Sequence, residues 1–134
     1  MPTPYQREKS KAWRLCSEYI RKRDCLKTTG TLTHGICCTC GVYKEYKLLD
    51  AGHFLEGRKA AVLFDERNIH AQCKRCNGFL EGNRTQYIKF MKREYGNEVI
   101  KELEYLNNKV VQHKINHFKD FQSYFKGKIK ELEQ

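Results

Sequence analysis

The sequence lacks any long apolar run, and this absence excludes a chain that is mostly embedded in a membrane. No stretch approaches the ~18 consecutive apolar residues of a transmembrane helix, although hydrophobic residues make up 40% of the 134 positions. The N-terminal residues are polar and show no signal-peptide pattern. Only two prolines are present, and no internal repeat or low-complexity tract divides the chain. We therefore expect one globular domain over residues 1–134.

Acidic residues are scarce relative to basic ones. The chain carries 16 Asp and Glu against 26 Lys and Arg, a formal net charge of +10. Such an excess favours a polyanionic partner, because each phosphate that a protein neutralises releases condensed counterions. Nucleic acid is the first candidate. An anionic membrane surface would attract the same charge, so charge alone decides little.

The seven cysteines do not have the pattern of a secreted disulfide scaffold. Their number is odd, no export signal precedes them, and four of them form the pairs Cys37-x-x-Cys40 and Cys73-x-x-Cys76. Two such pairs predict one tetrahedral Zn²⁺ with four thiolate ligands, the alternative being redox-active dithiols. Because that shell has no open position, we expect the zinc to be structural.

Three cysteines remain outside these pairs. Cys38 lies beside Cys37, so that either could be the first ligand, and we assign Cys37 because a two-residue spacer lets both sulfurs converge on one ion. Cys16 and Cys25 are interpreted as small, partly buried thiols in or just after the first helix.

Hydrophobic periodicity predicts an α+β fold with three parts. Residues 1–28 form a basic amphipathic helix, residues 29–95 a zinc-bound core, and residues 96–134 C-terminal helices. Within this frame we expect a helix over Tyr5–Lys27 and a break over Thr28–Gly35. Two short strands should follow within Tyr43–Phe54, with Gly52 and Gly57 as turn or bulge points. Helix is expected from Asn68 onward through the second cysteine pair, with breaks at Gly96 and Asn107-Asn108 and a last helix over Gln112–Leu132.

The last predicted helix carries an apolar stripe. Its members recur at helical spacing, and such a stripe is either core or a dimer seam. They are Phe118, Phe121, Phe125, Ile129 and Leu132.

Four residues between and beside the cysteine pairs could carry chemistry. Taken singly, Asp50 could start a turn, His53 could pack on a neighbour, and Asn68 and Asn77 could cap helices. Together they offer an oxygen ligand for a hard divalent cation, a base with a pKa of ~6.5, an amide that orients the base, and a second oxygen ligand. Glu81, four residues beyond Asn77, is a further candidate ligand.

Basic residues near these positions are candidates for phosphate contacts, with solvated surface as the alternative. His70 could contact phosphate or a metal, or could pack against the second cysteine pair. The candidates are Arg58, Lys59, His70, Lys74, Arg75 and Arg84.

The motifs resemble those of the NinG (Rap) family of phage recombination proteins. The similar segments are Asp50-Ala-Gly-His53-Phe and Glu66-Arg-Asn-Ile-His-Ala-Gln-Cys73-x-x-Cys76-Asn77 with Gly82-Asn83 following. The segments Tyr19-Ile-Arg-Lys-Arg-Asp24 and Cys37-x-x-Cys40-Gly41 also match, so the resemblance covers about residues 13–106.

The resemblance implies a zinc-stapled ββα-metal core of the HNH or His-Me finger type. His53 would be the general base, oriented by Asn68 or by a backbone carbonyl, and Asp50 and Asn77 would be the ligands of one catalytic Mg²⁺ or Mn²⁺. The usual Asp-His or His-His doublet is here Gly52-His53, which is why the acid is assigned to Asp50.

The implied activity is a metal-dependent DNA endonuclease that is selective for branched recombination intermediates such as Holliday junctions, D-loops and flaps, and that leaves 5′-phosphate and 3′-hydroxyl ends. Expected partners are DNA, a second copy bound through the C-terminal helix, and phage or host recombination proteins. The resemblance and the reduced cysteines together imply a phage- or prophage-encoded protein of the bacterial cytoplasm.

Two alternatives stay open. The chain could be a non-catalytic, zinc-stapled nucleic-acid-binding module, in which Asp50 and His53 are only turn and packing residues. It could also be an HNH nuclease that cleaves ordinary duplex DNA.

Overall fold

The structure is a computed structural model, and it describes residues 1–56 and 60–134. Its α+β architecture has a long N-terminal helix, two small antiparallel sheets and three C-terminal helices, which confirms the predicted fold class. The elements are α1 (Pro4–Thr29), β1 (His34–Ile36), β2 (Tyr43–Glu45), β3 (Leu49–His53), β4 (Ile69–Cys73), α2 (Arg84–Glu94), α3 (Asn97–Asn107) and α4 (Ile115–Glu133). Short 3₁₀ turns cover Tyr46–Leu48, Ala60–Val62 and Glu66–Asn68, and a π-helical turn, called the π-turn below, covers Arg75–Phe79.

Both ends of α1 follow from local sequence chemistry. The Thr3 hydroxyl accepts a hydrogen bond from the Gln6 backbone N–H, and the Gln6 side chain accepts one from the Thr3 backbone N–H, which completes a capping box ahead of Pro4. At the other end Gly30 has φ 77°, and its N–H donates to the Leu26 carbonyl. The predicted helix over Tyr5–Lys27 and its break at Thr28–Gly35 are therefore confirmed, within two residues at each end.

The two predicted strands within Tyr43–Phe54 exist, but they belong to different sheets. β2 pairs with β1, whereas β3 pairs with β4 in an antiparallel register that sets Asp50 opposite Gln72 and Gly52 opposite His70. The turn or bulge predicted at Gly52 is wrong, because Gly52 lies inside β3 and pairs with His70 in an unbroken register. The one predicted at Gly57 lies outside the described residues.

The prediction of helix from Asn68 onward is wrong for Ile69–Cys73, which form β4. All five residues of β4 are buried, because α1 covers one side of the strand while α2 and the turn of the first cysteine pair cover the other. A short run that is buried on both faces has no alternation that would separate strand from helix. The breaks at Gly96 and at Asn107-Asn108 are confirmed, and the last helix begins at Ile115 instead of Gln112.

The apolar stripe of α4 packs into the hydrophobic core of the same chain. Phe118, Phe125 and Ile129 are buried, and they pack with Tyr19 and Ile20 of α1 into the largest core cluster. Of the two sequence interpretations, the structure thus bears out the core. Among residues 1–56 and 60–134, no helix is long and apolar enough to cross a bilayer.

A buried ion pair joins α1 to β4. Asp24 accepts hydrogen bonds from the Ala71 backbone N–H at 2.8 Å and from Arg23 Nε at 2.8 Å. The Arg23 guanidinium in turn donates to the carbonyl oxygens of Glu66 at 3.0 Å and Ile69 at 2.7 Å. The charged pair therefore replaces hydrogen bonds that the edge of β4 would otherwise make to water.

We expect Asp24→Ala to lower the free energy of unfolding by about 3–5 kcal/mol, because it leaves both the buried Arg23 charge and the Ala71 N–H without a partner. Glu18→Ala is the matched control, since the Glu18–Lys22 pair on the same helix is more exposed and should change stability by less than about 1 kcal/mol. Urea unfolding of both zinc-loaded variants measures the difference. Equal, small losses would contradict the role assigned to Asp24.

Candidate metal centre and catalytic cleft

Four cysteine side chains converge between the turn after β1 and the end of β4. The ligand atoms of Cys37, Cys40, Cys73 and Cys76 all lie within 4.8 Å of one another. The Sγ atoms of Cys40 and Cys73 are 3.7 Å apart, whereas a disulfide would need about 2.05 Å. A ZnS₄ tetrahedron with bonds of about 2.3 Å has edges of about 3.8 Å. The arrangement therefore fits one structural zinc ion.

Hydrogen bonds prepare this cluster for a metal. Burial disfavours the Cys37 thiolate, but hydrogen bonds from the Thr39 hydroxyl and from backbone N–H groups outweigh it and lower the pKa of Cys37 to about 7. The Cys76 N–H and the Asn83 side-chain amide donate to Cys73 Sγ and Cys76 Sγ, both at 3.4 Å. N–H groups aimed at sulfur stabilise thiolate ligands and fix their direction.

The other three cysteines lie outside the cluster. Cys38, whose pKa is raised by burial, packs beside the core formed by residues of α2 and α3. Burial also raises the pKa of Cys16 to about 12 and that of Cys25 to about 11. These thiols are structural, as the sequence predicted, and Cys37 rather than Cys38 is the residue that reaches the cluster.

Two adjoining pockets, together called the cleft below, lie between α1, the end of β3 and the π-turn. His53 and Asn77 line both pockets, whereas Asp50 and Lys74 line only one of them. Of the four predicted catalytic residues, the structure brings Asp50, His53 and Asn77 together here. Asn68 is buried behind the cleft.

His53 is held as a neutral base. Its Nε2 lies 3.0 Å from the Leu63 carbonyl oxygen, which can only accept, so Nε2 carries the proton and Nδ1 keeps its lone pair. Its ring stacks on Trp13 at a centroid distance of 4.8 Å and an angle of 22°. Burial lowers the pKa of His53, and the hydrogen bond to Leu63 offsets this only in part. The imidazole is therefore uncharged at neutral pH.

The Asn68 side chain makes no hydrogen bond to His53. Its Oδ1 accepts from the Leu55 N–H at 2.8 Å, and its Nδ2 donates to the carbonyl oxygens of Leu55 at 3.1 Å and Val62 at 3.3 Å. The structure therefore does not show the predicted hydrogen bond by which Asn68 would orient His53. Asn68 instead fixes the loop between β3 and β4, and that loop carries the Leu63 carbonyl that holds His53.

Asp50 and Asn77 meet across the cleft. Asn77 Nδ2 donates to Asp50 Oδ2 at 3.1 Å, and Lys74 Nζ donates to Asp50 Oδ1 at 2.7 Å. A cationic group thus already binds the carboxylate that was assigned to a divalent ion. Asn77 lies within the π-turn, so the alternative that it caps a helix does not apply.

Gly52 is required by the close packing beneath this pair. A Cβ atom at position 52 would lie 1.9 Å from Gln72 Oε1 and 2.9 Å from Asn77 Oδ1. Real Cβ contacts are not that short, so only glycine lets β3 approach the side chains of Gln72 and Asn77.

His70 is not in the cleft. It is 2% exposed, with Nδ1 3.0 Å from the Tyr87 hydroxyl and Nε2 2.8 Å from the Tyr95 hydroxyl. The Tyr87 hydroxyl donates to the Gly52 carbonyl oxygen at 2.7 Å, so His70 Nδ1 must donate to Tyr87, and burial lowers the pKa of His70 well below its usual value. The structure therefore corrects the prediction of His70 as a DNA contact. His70 is a packing residue, but its partners are Tyr87 and Tyr95 and not the second cysteine pair.

The other predicted phosphate contacts have different positions. Lys74 and Arg75 are exposed beside the second cysteine pair, and Arg84 lines the cleft together with Glu81. Arg58 and Lys59 lie outside the described residues.

Sequence reasoning missed one face of α1. Lys9, Trp13, Ser17 and Arg21 recur every four residues and all border the cleft. That spacing is a signal that could have found them, because residues four apart lie on one face of a helix. Lys47 adds a further positive charge to the same side.

Comparison with known proteins adds the family. The family model for the bacteriophage lambda NinG protein matches residues 4–134. The chain is 33% identical over 99 residues to protein ninG of Escherichia phage lambda, which is 72% of this chain and 47% of that protein. It is 38% identical over 74 residues to protein ninG of Escherichia phage 933W, covering 54% and 36% of the two chains. It is 38% identical over 69 residues to protein ninG of Salmonella phage P22, covering 51% and 34%.

The chain spans less than half the length of these curated relatives, and no solved structure matches it. The family match covers almost the whole chain, including both cysteine pairs and every residue of the cleft described above. On this match, the chain belongs to the bacteriophage NinG family.

Proposed function

We propose that this chain is a metal-dependent DNA endonuclease of the HNH type, with His53 as the general base. The observation that carries the proposal is the tautomer and position of His53. The Leu63 carbonyl holds the proton on Nε2, which leaves Nδ1 as a base, and the same cleft contains Asp50 and Asn77. A buried neutral imidazole beside an acid and an amide suits proton abstraction from water.

The order of elements supports this assignment. The antiparallel pair β3 and β4 is followed by the π-turn, which carries Asn77. This is the strand, strand and helical segment expected for a ββα-metal site. The helical segment here is a short π-turn and not a longer helix. The proposed zinc ligands Cys73 and Cys76, one before this turn and one within it, would supply the rigidity that a site on a turn needs.

The residues also fit a divalent cation. Asp50 offers a carboxylate and Asn77 an amide oxygen, which are ligand types that Mg²⁺ and Mn²⁺ prefer. The Lys74 ammonium pairs with the Asp50 carboxylate, and its exposed side chain could move to a DNA phosphate when a divalent ion binds Asp50. Bound there, a divalent ion would stabilise negative charge on the scissile phosphate and on the leaving oxygen.

The remaining steps use residues of this chain. His53 Nδ1 accepts the proton of a water molecule that attacks the phosphorus, while Trp13 and Leu63 hold the ring in place. Lys9, Arg21, Lys47 and Arg84 line the two sides of the cleft, where they can bind the phosphates that flank the cleaved bond. The DNA would thus lie along α1, across His53. We place this activity in the cytoplasm of the bacterial host.

We propose branched recombination intermediates as the substrates and test them against linear duplex. The assay uses end-labelled four-way junction, flap and duplex DNA of the same sequence, with zinc-loaded protein and Mg²⁺ or Mn²⁺. We expect nicking that requires the added metal, favours the branched substrates and is lost in Asp50→Ala. Equal cleavage of all three would support a duplex nuclease instead. Binding without cleavage in any metal would leave a zinc-stapled binding module.

A further inference from the structure

One buried polar atom next to the cleft plays no part in the proposed cleavage mechanism. Gln72 of β4 is fully buried, and its Nε2 donates to the Thr39 hydroxyl at 3.1 Å and to the Gly82 carbonyl oxygen at 3.0 Å. Within the part of the chain that the structure describes, its Oε1 is buried with no hydrogen-bond donor. Buried amide oxygens are nearly always paired, because losing water without replacement is costly.

This oxygen and the side-chain oxygen of Asn77 both lie next to Gly52. Gln72 Oε1 and Asn77 Oδ1 both approach the α-carbon of Gly52, at 1.9 Å and 2.9 Å from the position that a Cβ atom would take there. Two acceptor oxygens therefore face the same small space, with no Gly52 side chain between them. Meanwhile the NH₂ group of Asn77, a donor that could satisfy Gln72, is turned away and bonded to Asp50.

A half-turn of the Asn77 amide would exchange its two ends. The NH₂ group would then face Gln72 Oε1, and the oxygen would face the Asp50 carboxylate. Without a cation that orientation is unfavourable, because it sets an amide oxygen against a negative charge. With a divalent cation on Asp50, the same orientation supplies a second oxygen ligand and satisfies the unpaired Gln72 oxygen at once.

We propose that Gln72 is a positioning residue for the metal site, and that Asn77 turns over between two states. In the metal-free state Asn77 donates to Asp50, and in the metal-bound state it donates to Gln72 and binds the cation through Oδ1. The inference rests on the proposed metal site of Asp50 and Asn77. It gives Gly52 a second purpose, since any side chain there would separate Gln72 from Asn77.

The test measures Mn²⁺ binding to zinc-loaded protein without DNA, by electron paramagnetic resonance of the free ion. Gln72→Leu removes the acceptor, and we expect Mn²⁺ affinity to fall about tenfold, the usual effect of removing a residue that orients a metal ligand. Gln72→Glu keeps an acceptor oxygen at the same place, and it should bind Mn²⁺ at least as well as wild type. Zinc content and thermal unfolding identify any variant that has lost the fold.

A double-mutant cycle separates positioning from general damage. Asn77→Asp has two equivalent oxygens and no NH₂ group, so Gln72→Leu should have no further effect on Mn²⁺ affinity in that background. In wild type, the Asn77 side-chain NH₂ resonances should shift during a Mg²⁺ titration as their acceptor changes, and in Gln72→Leu this shift should be smaller.

The outcomes distinguish this inference from the proposed function. If wild-type protein shows no Mn²⁺ binding that Asp50→Ala abolishes, the metal site itself is wrong. If Asp50-dependent binding exists but Gln72→Leu leaves it unchanged, or if Gln72→Glu weakens it as much as Gln72→Leu does, the positioning role is overturned while the nuclease proposal stands.

Discussion

His53→Ala is expected to slow metal-dependent DNA cleavage by about 10²- to 10⁴-fold, the contribution of a positioned general base. The reason is local: His53 lines the cleft together with Asp50 and Asn77, its Nδ1 carries the basic lone pair, and its orientation depends on Leu63 and Trp13. Single-turnover cleavage of a labelled substrate, with enzyme in excess, measures the chemical step without product release.

The matched control is His34→Ala. His34 lies on β1 and stacks on Tyr43 at 5.0 Å, in the sheet that does not contain Asp50 or His53. We expect this variant to cleave at the wild-type rate with one zinc per chain. A His53→Ala protein that retains zinc and DNA binding and still cleaves at the wild-type rate would refute the assignment of the base.

The pH dependence offers an independent check on the same residue. Burial lowers the pKa of His53, so the imidazole stays neutral and active until the pH falls below its ordinary pKa of about 6.5. The cleavage rate should therefore be level above that pH and should decrease at lower pH with a midpoint under 6.5. A midpoint above 6.5 would mean that a charged neighbour, and not burial, dominates the environment of His53.

Cys37→Ala is expected to abolish stoichiometric zinc binding and, with it, the folded state. A structural Zn²⁺ contributes on the order of 10 kcal/mol to folding, which is comparable with the whole stability of a typical domain. The cluster also joins the turn after β1 to β4 and the π-turn, so its loss should release Asn77 as well as the core around it. Zinc content by mass spectrometry and unfolding by circular dichroism measure both effects.

Cys38→Ala is the matched control, because it alters the neighbouring thiol. Cys38 packs beside the cluster of Phe54, Tyr87 and Leu103, and its backbone N–H donates to the Ala71 carbonyl at 3.0 Å, a contact that alanine keeps. We expect one zinc per chain and a small loss of stability. Zinc loss in Cys38→Ala with retention in Cys37→Ala would reverse the assignment of the first ligand.

The cysteine pairs and the first helix could be predicted because their causes are local. A two-residue spacer suits two ligands of one ion wherever the chain runs, and the capping residues of α1 lie next to the helix that they begin and end. The acid, the base and Asn77 were likewise recognised from residue type and spacing, and the structure brings them to one cleft.

Contacts between distant segments could not be predicted in the same way. Ile69–Cys73 contain no alternation, so only pairing with β3 and coverage by α1 make them a strand. That strand then decides the side chains' directions: His70 points to Tyr87 and Tyr95, whereas Gln72 points to Gly82 and Gly52.

By itself the sequence determined the four cysteines that cluster, the bounds of α1, the basic charge and the candidate base. The tertiary structure decided that Leu63 rather than Asn68 holds His53, that Trp13 stacks on it, and that Gln72 lies beneath Asn77. The physical reason is that a hydrogen bond or a ring stack between segments depends on where packing brings two backbones together. Residue type and spacing along the chain carry no record of that placement.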